Sequence, residues 1–241
     1  MKLFDDFKFH PSSLGLIMTE SRTKEELGET AKGHLMECYV NQKYNRTKDV
    51  TNKLIEKGLL AEEDSIDLYS MVTKILFIKN DKPIENDFFI GTPDLYVGPT
   101  IEQADIIIDL KTSWDIFTFF QVMHKSMNKQ YFWQLQAYMD LTGAAHAKLV
   151  HCLVNTPLKL VDDEKKKLIW TMAVIDPYED VAYLEACERI DKNSNYDDIP
   201  KEEKYIEFSL DRDQEAIDKA HDRVKYCRNF LNELLPLNKI K

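Results

Sequence analysis

The first third of the chain carries apolar residues at helical spacing, the middle carries short apolar runs, and the last third returns to helical spacing. Residues 12–44 read as helical. Leu27, Ala31, Leu35 and Tyr39 share one face, and Ser21 or Thr23 offers an N-cap. A second helical stretch begins near Lys48 and is interrupted at Gly58. A third runs from about Leu59 to Phe77, with Leu60, Ile66, Leu68, Met71, Val72 and Ile75. The period then changes. Phe88 to Ile90 and Asp94 to Val97, separated by Gly91-Thr92-Pro93, predict two antiparallel strands, and residues 104–112 predict a third.

Residues 115–141 predict helix with a break near Lys125 to Asn128, and Gly143 is a stop signal. Ala147 to Asn155 predicts a strand closed by Pro157. Helix follows over residues 158–190, with a break at Pro177, then a late or edge strand over 204–210 and an amphipathic helix from Asp211 to Leu235. The order of helices, a strand meander, then alternating helix and strand predicts a mixed α/β core. No internal repeat or linker interrupts it, and 241 residues suit a single domain over 1–241 with a helical N-terminal region.

One strand breaks its own pattern. In the run ADIIIDLK, Asp109 and Lys111 are two apart and share a face, while Ile108 and Leu110 take the other. Charges on an apolar strand are costly unless paired. A second carboxylate, Asp94, follows Pro93 in the preceding turn. Two carboxylates and a lysine at a sheet end suit phosphodiester hydrolysis. Hard oxygen ligands hold Mg²⁺ or Mn²⁺, and a cation stands beside the attacking water. The plain reading is a turn and a solvated strand end.

Two helical pairs accompany this cluster. Gln134 and Tyr138 are four apart on one face, as a core helix would also place them. Gly58 and Glu62 are four apart near a helix start, where Glu62, Glu63 and Asp64 also suit the helix dipole. The glycine there allows close backbone approach. Glu62 is placed one turn inside the helix, facing the strands.

Taken together, in this order, Gly58/Glu62, Pro93/Asp94, Asp109/Lys111 and Gln134/Tyr138 resemble the PD-(D/E)XK nuclease superfamily, nearest its RecB-like and lambda-exonuclease (YqaJ-type) branch. The resemblance implies a restriction-endonuclease-like core, with a mixed central β-sheet flanked by helices. It implies metal ligation by Asp94, Asp109, the Leu110 carbonyl and Glu62, with Lys111 orienting or activating water. Gln134 and Tyr138 would brace the carboxylates and hold the strand. Ser12 and Ser13 are similar to a short segment that lies near the DNA end in such exonucleases, and either could instead be an ordinary N-cap. The implied activity is Mg²⁺-dependent DNA exonuclease action, with Mn²⁺ substituting, on double-stranded ends in phage-type recombination. Implied partners are DNA, a single-strand annealing protein and further copies of the chain.

Composition trims these expectations. The net charge of −10 argues against a protein that coats DNA, so a local basic lining is expected. Arg22, Lys24, Lys125 and Lys129 are candidates for it, and Trp114 and Trp133 are candidates for stacking on bases. Each also reads as ordinary surface or core. Cys38, Cys152, Cys187 and Cys227 are scattered, which suits a reducing compartment. This disfavours a CRISPR-adaptation or RecB-like nuclease with an iron–sulfur cluster, though one without a cluster remains an alternative. A non-catalytic DNA-binding or inhibitory protein retaining the fold is another. The N-terminus has no apolar signal core, and no run approaches a membrane span, so an intracellular location is expected, in the host cytoplasm if the chain is phage-encoded.

Overall fold

A computed structural model describes residues 2–21, 27–48, 52–77 and 79–234. Helices α1 (Pro11–Ile17), α2 (Glu29–Tyr44), α3 (Lys53–Leu60) and α4 (Glu62–Thr73) lead into a strand pair, β1 (Ile84–Glu85) and β2 (Ile90–Gly91). The central sheet follows as β3 (Leu95–Val97) and β4 (Ile106–Thr112), then helices α5 (Ile116–Met123) and α6 (Lys129–Thr142), then β5 (His146–Cys152). Helices α7 (Leu158–Thr171) and α8 (Val181–Ser194), strand β6 (Tyr205–Asp211) and helix α9 (Gln214–Glu233) complete the order.

The sheet order is β3-β4-β5-β6, with β4 and β5 parallel and the outer pairs antiparallel. The mixed sheet flanked by helices is the α/β core that the pattern predicts. Alternation along the strands loads both faces. Ile107, Ala147 and Leu149 pack under Leu135 and Met139 of α6. Ile108, Leu110, Val150 and Cys152 pack against Ile66 and Tyr69 of α4. A third apolar cluster joins α1, α2 and α9 to Ala137 of α6. Among the described residues, no helix is long and apolar enough to cross a membrane.

Several boundaries differ from the expectations, for local reasons. Residues 12–44 form two helices, because α1 ends at a Met18 cap and α2 starts after an extended Gly28. Neither Ser12 nor Ser13 caps α1. The N-cap is His10, Pro11 opens the helix, and Ser13 Oγ donates to the His10 carbonyl at 2.9 Å. Ser21 is likewise too early to cap α2, and Thr23 lies outside the described residues. Gly58 does not interrupt a helix or begin one. It sits inside α3, where an added Cβ would meet nothing, and the break falls at Ala61. The strands around Gly91 do not pair with each other. β2 pairs with β1, whereas β3 pairs with β4. Pro177 falls between α7 and α8, whose ends stop well short of it.

The tightest joint is α1 against α6. A Cβ on Gly15 would lie 2.6 Å from Gln130 Cα, so only hydrogen fits there. Gly15→Ala is expected to push α1 off α6 and cost about 1–3 kcal/mol, read as a lower urea midpoint with an unchanged m-value. An unchanged midpoint would show that the helices have room to part.

Candidate active site

The β3–β4 register brings the chemistry together. Leu95 lies opposite Ile108 in an antiparallel pair, so Asp94, one step earlier, comes beside Asp109. Asp94 Oδ2 accepts the Leu110 N–H at 2.7 Å, which ties the turn to β4. Asp109 is 1% exposed; its Oδ1 accepts Gln134 Nε2 at 2.8 Å. Its Oδ2 lies 2.7 Å from Lys111 Nζ. That contact is an ion pair without the direction of a hydrogen bond, and Oδ2 has no hydrogen-bond partner among the described residues.

Helix α6 supplies the roof. Asn128 caps its start, and Gly143, in the left-handed region, ends it as expected. Gln134 reaches Asp109, while the Tyr138 hydroxyl donates to the Thr92 carbonyl at 3.3 Å. Gln134 therefore braces a carboxylate, and Tyr138 braces the backbone of the Pro93-Asp94 turn. Pro11 packs beside the same turn. A Cβ on Gly91 would meet its Cδ at 2.8 Å and the Tyr138 ring at 3.1 Å. Ser12 and Ser13 thus start a helix that abuts the site. Arg22 and Lys24 lie outside the described residues. Lys125 and Lys129 are exposed at the α5–α6 junction. Trp133 is partly buried against the core. Trp114 turns its carbonyl to buried Lys57, which donates to it at 2.7 Å.

Glu62 is not one turn inside its helix. It is the first residue of α4, with its carboxylate 2.8 Å from Lys79 Nζ. Its charge still reaches the cluster and contributes to the rise of the Asp94 pKa.

Three further side chains complete the surroundings. Asn80 is buried, its side-chain amide donates to the Pro93 carbonyl at 2.9 Å, and its backbone N–H donates to the Asp94 carbonyl at 2.8 Å. It lies in a polar stretch with no periodicity, so no sequence signal marks it. Tyr131 lies beneath the Lys111 ammonium, 5.5 Å from Nζ to the ring centre. Its place three before Gln134, on the same helix face, is the signal that could have found it. His151 pairs in register with Lys111 and stands edge-on to Tyr131. It reads from sequence as a structural histidine, and burial followed by the Lys111 charge depresses its pKa to about 4, so it is neutral near pH 7.

The electrostatics are those of a crowded, partly buried anion site. Burial, then the Asp109 charge, pushes Asp94 up to about 7 against the pull of Lys111. Burial also raises Asp109, with Lys111 opposing. For Lys111, burial opposes the charged form, but Asp109 and Asp94 outweigh it and hold its pKa above the ordinary value. Burial and the same two carboxylates raise the Tyr138 pKa, so its phenol stays a donor.

These features suit a divalent cation. The donors are hard oxygens, one buried carboxylate oxygen lacks a hydrogen bond, and two carboxylates repel each other across a short gap. Among the described residues no three acidic, histidine or cysteine side chains converge, because Glu62 is held by Lys79. The protein atoms that fit the ion are the Asp94 and Asp109 carboxylates, with Glu62 within electrostatic reach.

No protein-family model matches the chain, nor does any curated protein. Solved structures do. A phage-related exonuclease from Haemophilus somnus 129PT superposes with a TM-score of 0.73 at 28% identity, over 95% of each chain. An alkaline exonuclease from Laribacter hongkongensis superposes with a TM-score of 0.61 at 16% identity, over 95% of this chain and 89% of that one. The latter has also been solved in complex with dAMP. The fold is thus shared with these exonucleases, as the resemblance to the PD-(D/E)XK nuclease class implies. The resemblance to its lambda-exonuclease-like branch runs along nearly the whole chain.

Asp94 has a consequence for stability in metal-free protein. Its folded pKa lies above its unfolded value, so between about pH 4 and about pH 7 the folded state holds a proton that the unfolded chain releases. This contribution makes stability fall as pH rises through that window. Urea titrations in EDTA at pH 5 and pH 8 should show the fall, and Asp94→Asn should flatten it. An equal slope in the variant would remove Asp94 as its source.

Proposed function

We propose that this chain is a divalent-metal-dependent deoxyribonuclease that works from DNA ends. The observation that carries the reading is the Asp94–Asp109–Lys111 cluster, gathered around buried Asp109 on β4 in a fold shared over 95% of its length with a phage-related exonuclease. Asp94, Asp109 and the Leu110 carbonyl would hold Mg²⁺, or Mn²⁺ in its place, with Glu62 joining when Lys79 releases it. When bound, the ion supplies positive charge at the scissile phosphate and a lowered pKa for water.

The protein's own groups set the geometry. Gln134 fixes Asp109, while Tyr138 and Asn80 fix the turn that carries Asp94. Lys111 keeps its proton under the two carboxylates, so it acts as a charged donor that orients water and the phosphate oxygens; it is poorly suited to act as a base. Water adds to phosphorus, the P–O bond to the leaving oxygen breaks, and the products are a phosphate monoester and a free hydroxyl. His151 is neutral and packed under Tyr131, so it adds no second cation beside Lys111.

Ser12, Ser13, Lys125 and Lys129 are the proposed contacts to the DNA end. Gly15 against Gln130 sets the serine-bearing helix beside the start of α6. The scattered cysteines disfavour an iron–sulfur subclass: Cys38 and Cys227 lie in one apolar cluster and Cys152 in another. The resemblance extends the proposal to phage-type recombination, in which exposed single strands pass to an annealing protein and several copies of the enzyme act together.

End-labelled linear duplex should be degraded with Mg²⁺ or Mn²⁺ and spared in EDTA, while a covalently closed circle survives. Asp109→Asn should abolish cleavage with the far-UV spectrum unchanged. Lys111→Met should lower the rate at least about a hundredfold, in line with loss of one charged donor at a transition state, while metal affinity by calorimetry changes little. Cleavage by Asp109→Asn at the wild-type rate refutes the assignment.

Added salt tests how the enzyme stays on its substrate. With a net charge of −10, general attraction to DNA is weak. If a local charged path holds the duplex, raising salt from 50 to 200 mM should shorten the digested tract strongly. A salt-independent tract would indicate enclosure by several copies.

A further inference from the structure

The stretch from Ile116 through Met139 contains no Asp or Glu, in a chain where 42 acidic residues outnumber 32 Lys and Arg. It is also rich in aromatic residues and carries His124, Lys125 and Lys129 as its ionisable cations. Its first element, α5, begins directly beyond the catalytic strand. Lys111 and Phe117 are six residues apart, so at most about 20 Å of chain separates them.

Helix α5 is pinned firmly and yet leaves apolar surface open. Asp115 and Thr118 form a reciprocal capping box at its start. Phe119 is 1% exposed and packs with Leu153 and Tyr196. On other sides, Phe117 is 70% and Phe120 is 40% exposed. Phe117 and Phe120 fall at i and i+3 on one helix face, and His124 caps the end of the helix seven residues after Phe117. Exposed rings on a helix that carries His124 and Lys125 at its end, and whose one carboxylate, Asp115, is held at the cap by the Thr118 N–H, match the chemistry that binds single-stranded nucleic acid.

A contrast within the molecule supports this choice of occupant. Trp170, Ile175 and Tyr178, at the far end of the α7–α8 hairpin, are more exposed still. There Asp176, Glu179 and Asp180 surround them, so that surface repels a phosphate backbone. The α5 face has the opposite balance, and α5 is the element that follows the strand carrying Asp109 and Lys111 in the chain.

We infer that the α5 face built from Phe117 and Phe120, with His124 and Lys125 at its end, is a stacking platform for single-stranded DNA. The choice of ligand rests on the deoxyribonuclease reading. The platform takes bases by their faces, so it reads no sequence, and it holds a strand whose bases have left the duplex.

The test is independent of cleavage. A fluorescein-labelled oligothymidine of roughly 20 nucleotides, longer than one such site needs, is titrated with the full-length protein in EDTA and followed by anisotropy. Phe117→Ala/Phe120→Ala should weaken binding about tenfold or more, and Phe117→Trp/Phe120→Trp should restore it. Both rings are exposed, and circular dichroism checks that the variants fold. Wild-type binding in the alanine variant, or no binding by the wild type, overturns the platform. So does a change confined to self-association in sedimentation, which would make the face a protein contact. A wild-type protein that binds through α5 but cleaves nothing with Mg²⁺ supports the platform and sinks the nuclease reading. One that cleaves, with α5 variants that bind normally, sinks the platform alone.

Discussion

The structure is organised around one costly arrangement. Asp109 is withdrawn from water where β3 meets β4, with half-buried Asp94 and Lys111 beside it, and each neighbouring element compensates for part of that burial. The Leu110 N–H satisfies one carboxylate, Gln134 satisfies the other, and Lys111 offsets one of the two negative charges. One negative charge and one carboxylate oxygen without a hydrogen bond are left over. A buried charge left unbalanced is destabilising on its own, and that is the condition in which binding a cation gains most.

The supports of this cluster explain the shape of the fold around it. Helix α6 must lie close to β4 for Gln134 to reach Asp109, and its Tyr138 must reach the Thr92 carbonyl. That proximity is held from behind by α1, whose Gly15 sits on the Gln130 backbone and whose Pro11 fills the space over Gly91. Asn80 closes the turn from the opposite side with two hydrogen bonds to consecutive carbonyls. The site is therefore braced on three sides, although its acids come from a single turn and a single strand. The next helix along the chain, α5, is anchored by Phe119 and leaves Phe117 and Phe120 exposed, apart from the residues that brace the cluster.

Much of this was legible in the sequence because it depends on period and short spacing. The two-residue period of β4 put Asp109 and Lys111 on one face. The four-residue spacing put Gln134 and Tyr138 on one face of α6, and Gly143 marked the end of that helix. The order of motifs pointed to the nuclease class before any coordinates. The helix interruptions were misread where glycine served as the guide. Gly58 is an ordinary solvent-facing helical residue, and the break at Ala61 carries no composition signal.

Other features depended on register and on contacts between distant segments, which a linear pattern does not encode. That Asp94 stands beside Asp109 follows from β3 pairing with β4 and not with β2. That Glu62 is drawn to Lys79 follows from the start of α4 and the loop after it. The roles of Asn80, Tyr131 and His151 exist only once β5, α6 and the turn at Pro93 have come together. Residue order alone sets which chemical groups are present and which of them share a face within one element. Folding set which faces met, how deeply the meeting place is buried, and hence the rise of both carboxylate pKa values. Pairing and desolvation are properties of segments brought together, and neither has a period along the chain.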